Sequence, residues 1–311
     1  MLSEDNIVLL TAILAGAVRR GTPLAFAAIG EAISERAGVM NLGVEGMMLI
    51  GAMSGVWLNI ATGNPWFAIA GAGFIAMLLA AAHAMFVVYM GVNQVVSGFA
   101  LTILGTGLSG FLGRAFVGVQ ISGVTISPIP GLSEIPFIGR IFFQHDILTY
   151  MLLPVAVAAW FLIYRTRFGL RVRAVGEDPE IAYVHGIKSQ RVRLMAVLIG
   201  GFLAGVGGAH LSVVYTKLWA EQMTAGQGWI AVGLVIVAGA RPHLCLPVAW
   251  LFGGLVVLQP NLQARGIDIS PYLVAMLPYI ISIIALTVAM HRDRAGFGLP
   301  AALGKPFRPE K

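Results

Sequence analysis

The chain has 311 residues, of which 58% are hydrophobic and only 11% charged, with 20 Lys and Arg against 14 Asp and Glu. A soluble domain carries about 25% charged residues, and the mean hydropathy here is +0.86, so a soluble enzyme, a disordered chain, a coiled coil and a nucleic-acid binder are all excluded. Dividing the roughly 180 apolar residues by the ~20 that one bilayer crossing needs gives about nine helices, so the fold class is an all-α polytopic membrane protein with about nine or ten crossings, some short or broken.

Near the start, Glu4 and Asp5 stand where a signal peptide would carry a basic region, so the first apolar run is expected to be a retained helix. It covers residues 7–34 and is expected to break at Gly21–Pro23. Arg19 and Arg20 lie inside it, which leaves the number of crossings at this end at one or two. The second crossing covers 39–60, opens with Asn41 and holds Glu45. The third covers 66–90 and the fourth 92–116. Residues 117–146 form a polar, Pro-rich connection, and the fifth crossing covers 147–164. A polar loop fills 165–193. The sixth crossing covers 194–215, the seventh is short at 228–240, the eighth covers 244–258 and the last 272–290. The tail, 291–311, is polar and Pro-rich and is expected to be extended. All of 1–311 is read as one transmembrane domain.

Charge sets the expected orientation. The 165–193 loop carries Arg165, Arg167, Arg171, Arg173, Lys188, Arg191 and Arg193, and the tail carries Arg292, Arg294, Lys305, Arg308 and Lys311. The 117–146 connection has Arg140 alone. By the positive-inside rule the 165–193 loop and the tail are cytoplasmic and the 117–146 connection is external. Gly46-Met-Met-Leu-Ile-Gly-Ala52 and Gly233-Leu-Val-Ile-Val-Ala-Gly-Ala240 resemble each other faintly, as the halves of an inverted repeat would.

Four segments carry chemistry. Within the polar loop, Asp178 is suited to cap a helix, Pro179 to its first position, Glu180 to its positive end and Gly186 to its stop. The result is a two-turn helix, too short to stand alone in water, which docks on this chain or on a partner. Asn41 and Glu45 are four apart, so one helix face can carry both. A carboxylate at membrane depth is costly, and Glu45 either lines a pathway or ties a broken helix by accepting backbone N–H groups. Glu31 can pair with Arg36. Asn93, Gln94 and Ser97 open the fourth crossing and offer amide and hydroxyl groups, either to a neutral, hydroxyl-rich substrate or to a neighbouring helix. Phe74, Phe99 and Trp229 could stack on a base, but as aromatics on membrane helices they are expected to pack in the core. So are His83 and His210, since no H-E-x-x-H or G-x-S-x-G pattern accompanies them. No metal site is expected. There is no G-x-x-x-x-G-K-[ST] loop, so any ATP used is hydrolysed on another subunit. Cys245 is the sole cysteine, which rules out an intrachain disulfide.

The stretch from Thr166 to Ile187, containing Gly176-Glu-Asp-Pro-Glu180, resembles the cytoplasmic coupling loop of ABC-importer permeases for nucleosides, simple sugars and branched-chain amino acids. Gly30-Glu31, the run from Ser34 through Gly38-Val-Met-Asn-Leu-Gly-Val-Glu-Gly46 to Met48, Asn93-Gln-Val-Val-Ser-Gly98 and Gly226-Gln-Gly-Trp-Ile-Ala231 resemble the nucleoside branch. The likeness spans roughly residues 20–290. It departs from the pattern at Ala240-Arg-Pro-His243, to which no role is given.

That resemblance implies a permease subunit that is not itself an enzyme and holds no cofactor. It would pair with a second permease, an ATPase subunit carrying ATP and Mg, and an external binding protein, in the bacterial inner membrane. The coupling residues it implies are Arg171, Arg173, Gly176, Glu177, Asp178, Pro179, Glu180, Ala182 and Gly186. The candidate path residues are Asn41, Glu45, Asn93, Gln94 and Ser97. Nucleosides are the expected cargo. Simple sugars or branched-chain amino acids are the alternatives, and an ion-coupled carrier, with Glu45 as the one acid available, is a more distant one.

Overall fold

The computed structural model describes residues 4–263, scattered positions between 270 and 287, and residues 298–307. The helices are α1 (Glu4–Arg36), α2 (Val44–Thr62), α3 (Pro65–Ala84, extended by a π turn over Met85–Tyr89) and α4 (Gln94–Gly113, ending in a 3₁₀ turn). They continue with α5 (Ile138–Phe142), α6 (Ile147–Arg165), α7 (Arg167–Glu177), α8 (Pro179–Val184), α9 (Ser189–Ala209, extended by a π turn over His210–Tyr215), α10 (Gln227–Val237) and α11 (Pro242–Gln263). Among the described residues seven helices are long and apolar enough to cross a bilayer: α1, α2, α3, α4, α6, α9 and α11. The crossing expected at 272–290 lies outside the described residues.

α2 and α9 form the centre, with most of their length buried. Small residues let them approach: Ser212 donates to the Ala52 carbonyl oxygen at 2.7 Å. α1 packs along α9, α10 and α11, and α3 and α4 cover α2 from the other side. α1, α3, α4, α6 and α11 keep their outer faces apolar and open, as a lipid-facing or partner-facing ring requires.

α1 corrects one expectation. It runs unbroken through Gly21 and Pro23. Gly21 packs close on the backbone of Ala249 and Trp250 in α11, and residues from Gly21 to Glu35 are buried. Pro is tolerated in a membrane helix when neighbouring helices enclose it, and here they do.

α10 is different in kind. Its 11 residues span about 16 Å, half of the ~30 Å hydrocarbon layer. The chain reaches it through an irregular stretch, 216–226, in which Lys217, Gln222, Ala225 and Gly226 take positive φ. Gly118 donates to the Trp219 carbonyl oxygen (2.9 Å) and Ile121 to that of Lys217 (3.0 Å), so the 117–121 backbone supports the upper part of the stretch. Non-helical backbone at membrane depth survives only against protein or water.

The tail also departs from expectation. Residues 298–307 are folded back against the polar-loop end of the bundle. Ala302 N donates to the Gly176 carbonyl oxygen at 2.9 Å, and Ala302 and Phe307 are buried.

Candidate functional site

The polar residues singled out in the sequence gather around the connection between α1 and α2. Residues 37–43 run there without helical hydrogen bonding, and five side chains from four helices satisfy them. Glu31 of α1 accepts from Asn41 N (2.7 Å). Gln94 of α4 accepts from Met40 N (2.7 Å) and donates to the Gly38 carbonyl oxygen (3.3 Å). Thr102 of α4 donates to the Leu42 carbonyl oxygen (2.9 Å). Arg193 of α9 donates to that of Ala37 (3.1 Å). His83 of α3 lies 3.2 Å from the Met40 carbonyl oxygen through Nε2 and 3.1 Å from Ser97 Oγ through Nδ1. Buried backbone polar groups require such partners.

Asn41 therefore stands in the turn before α2 and does not share a helix face with Glu45. Its Oδ1 accepts from Gly43 N at 2.9 Å. Such a local bond is what asparagine offers in competition with a helix. Gln94 and Ser97 are buried and bonded. Asn93 stands apart on the surface, where its side chain caps α4 through Val95 N (2.9 Å) and Val96 N (3.1 Å). The anticipated Glu31–Arg36 pair does not form. Arg36 turns instead to the end of α10 and donates to the carbonyl oxygens of Ala240 (2.7 Å) and Gly239 (2.9 Å).

Glu45, in the first turn of α2, is 5% exposed. Its Oε1 accepts from the Thr224 hydroxyl (2.6 Å) and Gly226 N (2.9 Å), and its Oε2 from Gly228 N (2.6 Å). Ala225 and Gly226 are both left-handed, and this curls the backbone N–H groups toward one point. A Cβ on Gly228 would collide with the Glu45 backbone, so glycine there lets the two helix starts meet. The faintly similar stretches 46–52 and 233–240 lie on α2 and on α10 with the turn that follows it.

Beside this junction, the Phe99 and Trp229 rings stack with centroids 5.9 Å apart and planes within 4°. They are 51% and 45% exposed, and Phe74, 5.1 Å from Phe202, is 56% exposed. The core placement expected for these three aromatics is thus corrected: they lie on open faces of the chain. Glu221, Gln222 and Ala225 are exposed on the adjoining stretch. His83 is bonded within the core as described. His210 lies buried, 3.8 Å from Asp146 and 3.4 Å from Thr149. Among the described residues no group of His, Cys, Asp and Glu could hold a metal ion.

The far end of the bundle carries α7 and α8. Asp178 Oδ1 accepts from Glu180 N and Ile181 N, both at 2.9 Å. Pro179 is the first residue of α8 and Gly186 is left-handed after it. Ala182 faces inward. Ile181, Tyr183 and Val184 are exposed, Val184 at 82%, and Glu180 lies among them. Gly176 is buried against the Arg36 carbonyl oxygen, and Glu177 faces the tail, where Ala301 N reaches its Oε2 at 3.4 Å. Arg171 is exposed, and Arg173 lies over the Tyr164 ring at 5.6 Å.

Long apolar helices around two buried ones, a half-length helix entered from an irregular stretch and a capped loop helix with an exposed apolar tip define a multi-pass membrane transport subunit. The chain belongs to the family described as branched-chain amino acid transport system, permease component, which matches residues 13–286. It is 40% identical to the "Putative glucose ABC transporter permease protein TsgC13" of Haloferax volcanii, covering 96% of this chain and 98% of that one. It is 35% identical to the nucleoside ABC transporter permease NupC of Lactococcus lactis (89% and 91% covered) and 32% identical to the guanosine ABC transporter permease NupQ of Bacillus subtilis (97% and 98% covered). This chain is thus a permease subunit of an ABC importer, and the ATPase is a separate subunit.

Proposed function

We propose that this permease carries nucleosides inward by alternating access. The observation that carries the reading is the exposed parallel pair of Phe99 and Trp229 beside the start of α10. A planar base stacks on such a surface, at about 1–3 kcal/mol per base, which is weak enough for release. The path then follows the open face of α4 and α10, next to Gln227 and the polar 216–226 stretch. Asn41, Glu45, Gln94 and Ser97 shape that path from behind by fixing the backbone that borders it, and Asn93 sets the start of α4. The similarity to NupC and NupQ over about nine-tenths of the chain or more supports this cargo.

α8 is the coupling helix in this reading. Its exposed Ile181 and Val184, with Tyr183 leaning on Phe307 of the tail, offer an apolar knob to a groove of the ATPase, with Arg171 and Glu180 at its rim. Asp178, Pro179 and Gly186 form the helix, Ala182 roots it, and Arg173, Gly176 and Glu177 seat it on the body. The α7–α8 end is cytoplasmic and the 117–146 connection external, as the charge asymmetry supports. A second permease covers the open α4–α10 face, and a binding protein delivers substrate from outside. ATP and Mg reside on the partner ATPase.

Glucose is the second reading, favoured by the 40% identity to TsgC13. Uptake of labelled uridine, guanosine and glucose into proteoliposomes holding this chain with its partner subunits separates the two. ATP-dependent uptake competed by nucleosides and not by glucose is the expected result, and uptake of glucose alone overturns the nucleoside assignment.

A further inference from the structure

α10 is gripped at both ends by charges of opposite sign. At its start, Glu45 takes Gly226 N, Gly228 N and the Thr224 hydroxyl. At its finish, the left-handed pair Gly239 and Ala240 turns two carbonyl oxygens onto the Arg36 guanidinium. A carboxylate at a helix N-terminus and a guanidinium at a C-terminus both complement the helix dipole. The Glu45 grip is buried, where solvent competes little for it, and the Arg36 grip is half-buried.

The lower grip touches the α7–α8 loop directly. Arg36 is the last residue of α1, and Gly176 of α7 lies flat on its carbonyl oxygen, where a Cβ would collide. The Gly176 carbonyl oxygen in turn takes Ala302 N of the tail. One continuous series of close contacts therefore leads from the loop through Arg36 into the end of α10, along a rigid helix, and out through Glu45 to α2 at membrane depth.

We propose that α10 is a strut between these two grips, with Arg36 and Glu45 as positioning residues that transmit displacement of the α7–α8 loop to the 224–226 turn. Both act through α10 and neither needs to touch the cargo, so the inference stands whichever cargo is carried. Ordinary packing of α10 against α1 and α2 would move the helix without them, and this is the alternative to be tested.

The test uses the complex of this chain with its second permease and ATPase subunits in lipid nanodiscs. Ala225→Cys puts a reporter on an exposed residue at the start of α10, and buried Cys245 is replaced by Ala. The rate of maleimide labelling is measured with and without Mg-ATP and vanadate. The expected result is a nucleotide-dependent change of at least about fivefold in the parent. Arg36→Ala and Glu45→Ala each remove most of that change while ATP hydrolysis continues. Arg36→Lys, which still donates to carbonyl oxygens, restores part of it. A change of parental size in both alanine variants overturns the proposal, and so does a parent that shows none. Where an alanine variant fails to co-purify with the ATPase, Arg36→Met and Glu45→Met, which keep side-chain bulk but offer no comparable donor or acceptor to α10, replace it and are judged by the same two outcomes.

Discussion

Thr224, Gly226 and Gly228 present three donors to the Glu45 carboxylate where water is scarce. Removing the acceptor strands all three. Glu45→Ala is expected to destabilise by at least about 1–3 kcal/mol, the scale of leaving a buried neutral donor unsatisfied. Glu45→Gln keeps one acceptor oxygen and should cost less. The midpoint of denaturant unfolding in detergent measures both, and an unchanged midpoint for Glu45→Ala would show the junction to be energetically idle. From the sequence, Glu45 was recognisable as a costly residue, and tying a broken helix was one of its two readings. Its partners were not recognisable, because they lie about 180 positions away. The sequence offers Glu31 as a partner for Arg36. In the folded chain the Glu31 carboxylate is held by Asn41 N, and the carbonyl oxygens at the end of α10 take the guanidinium instead.

At the scale of elements, α8 was readable almost residue by residue. Capping is local chemistry, and Asp178, Pro179 and Gly186 lie within nine positions. Asp178→Ala is expected to destabilise α8 by about 1 kcal/mol and to speed amide exchange at Glu180 and Ile181 while leaving α9 unaffected. Replacing Ile181 and Val184 together with Ser leaves the fold intact, since both are exposed. It should nonetheless reduce the ATPase subunit retained on purification, and full retention would remove α8 as the docking element. α1 shows the opposite case. Pro23 and Gly21 read locally as a break, yet the helix continues because α9, α10 and α11 enclose it. α10 fell between these cases. Its shortness was visible in the sequence, but its entry from a left-handed turn at membrane depth was not.

For the whole molecule, the two ends of the bundle differ in charge and contact. Orientation is tested with Leu132→Cys on the 117–146 connection and Val184→Cys on α8, both exposed sites. A membrane-impermeant thiol reagent should label the first in intact cells and the second only after permeabilisation. The reverse pattern would invert the assignment. The tail, expected to be extended, instead seats Phe307 beneath the α7–α8 end, with the Arg193 guanidinium 5.9 Å from its ring. A polar, Pro-rich segment gives no sign of such docking, because the contact depends on a few residues meeting a surface made by distant helices.

Sequence alone determined the membrane class, most of the long apolar helices, the charge asymmetry and the capped loop helix. Each rests on composition or on residues a few positions apart, where the bilayer and the helix hydrogen bond impose simple rules. Only the tertiary structure decided that α1 is continuous, that Phe99 and Trp229 stack on an open face and that α10 is held between Glu45 and Arg36. Those outcomes depend on which distant groups satisfy buried donors and acceptors, and that is fixed only when the helices pack.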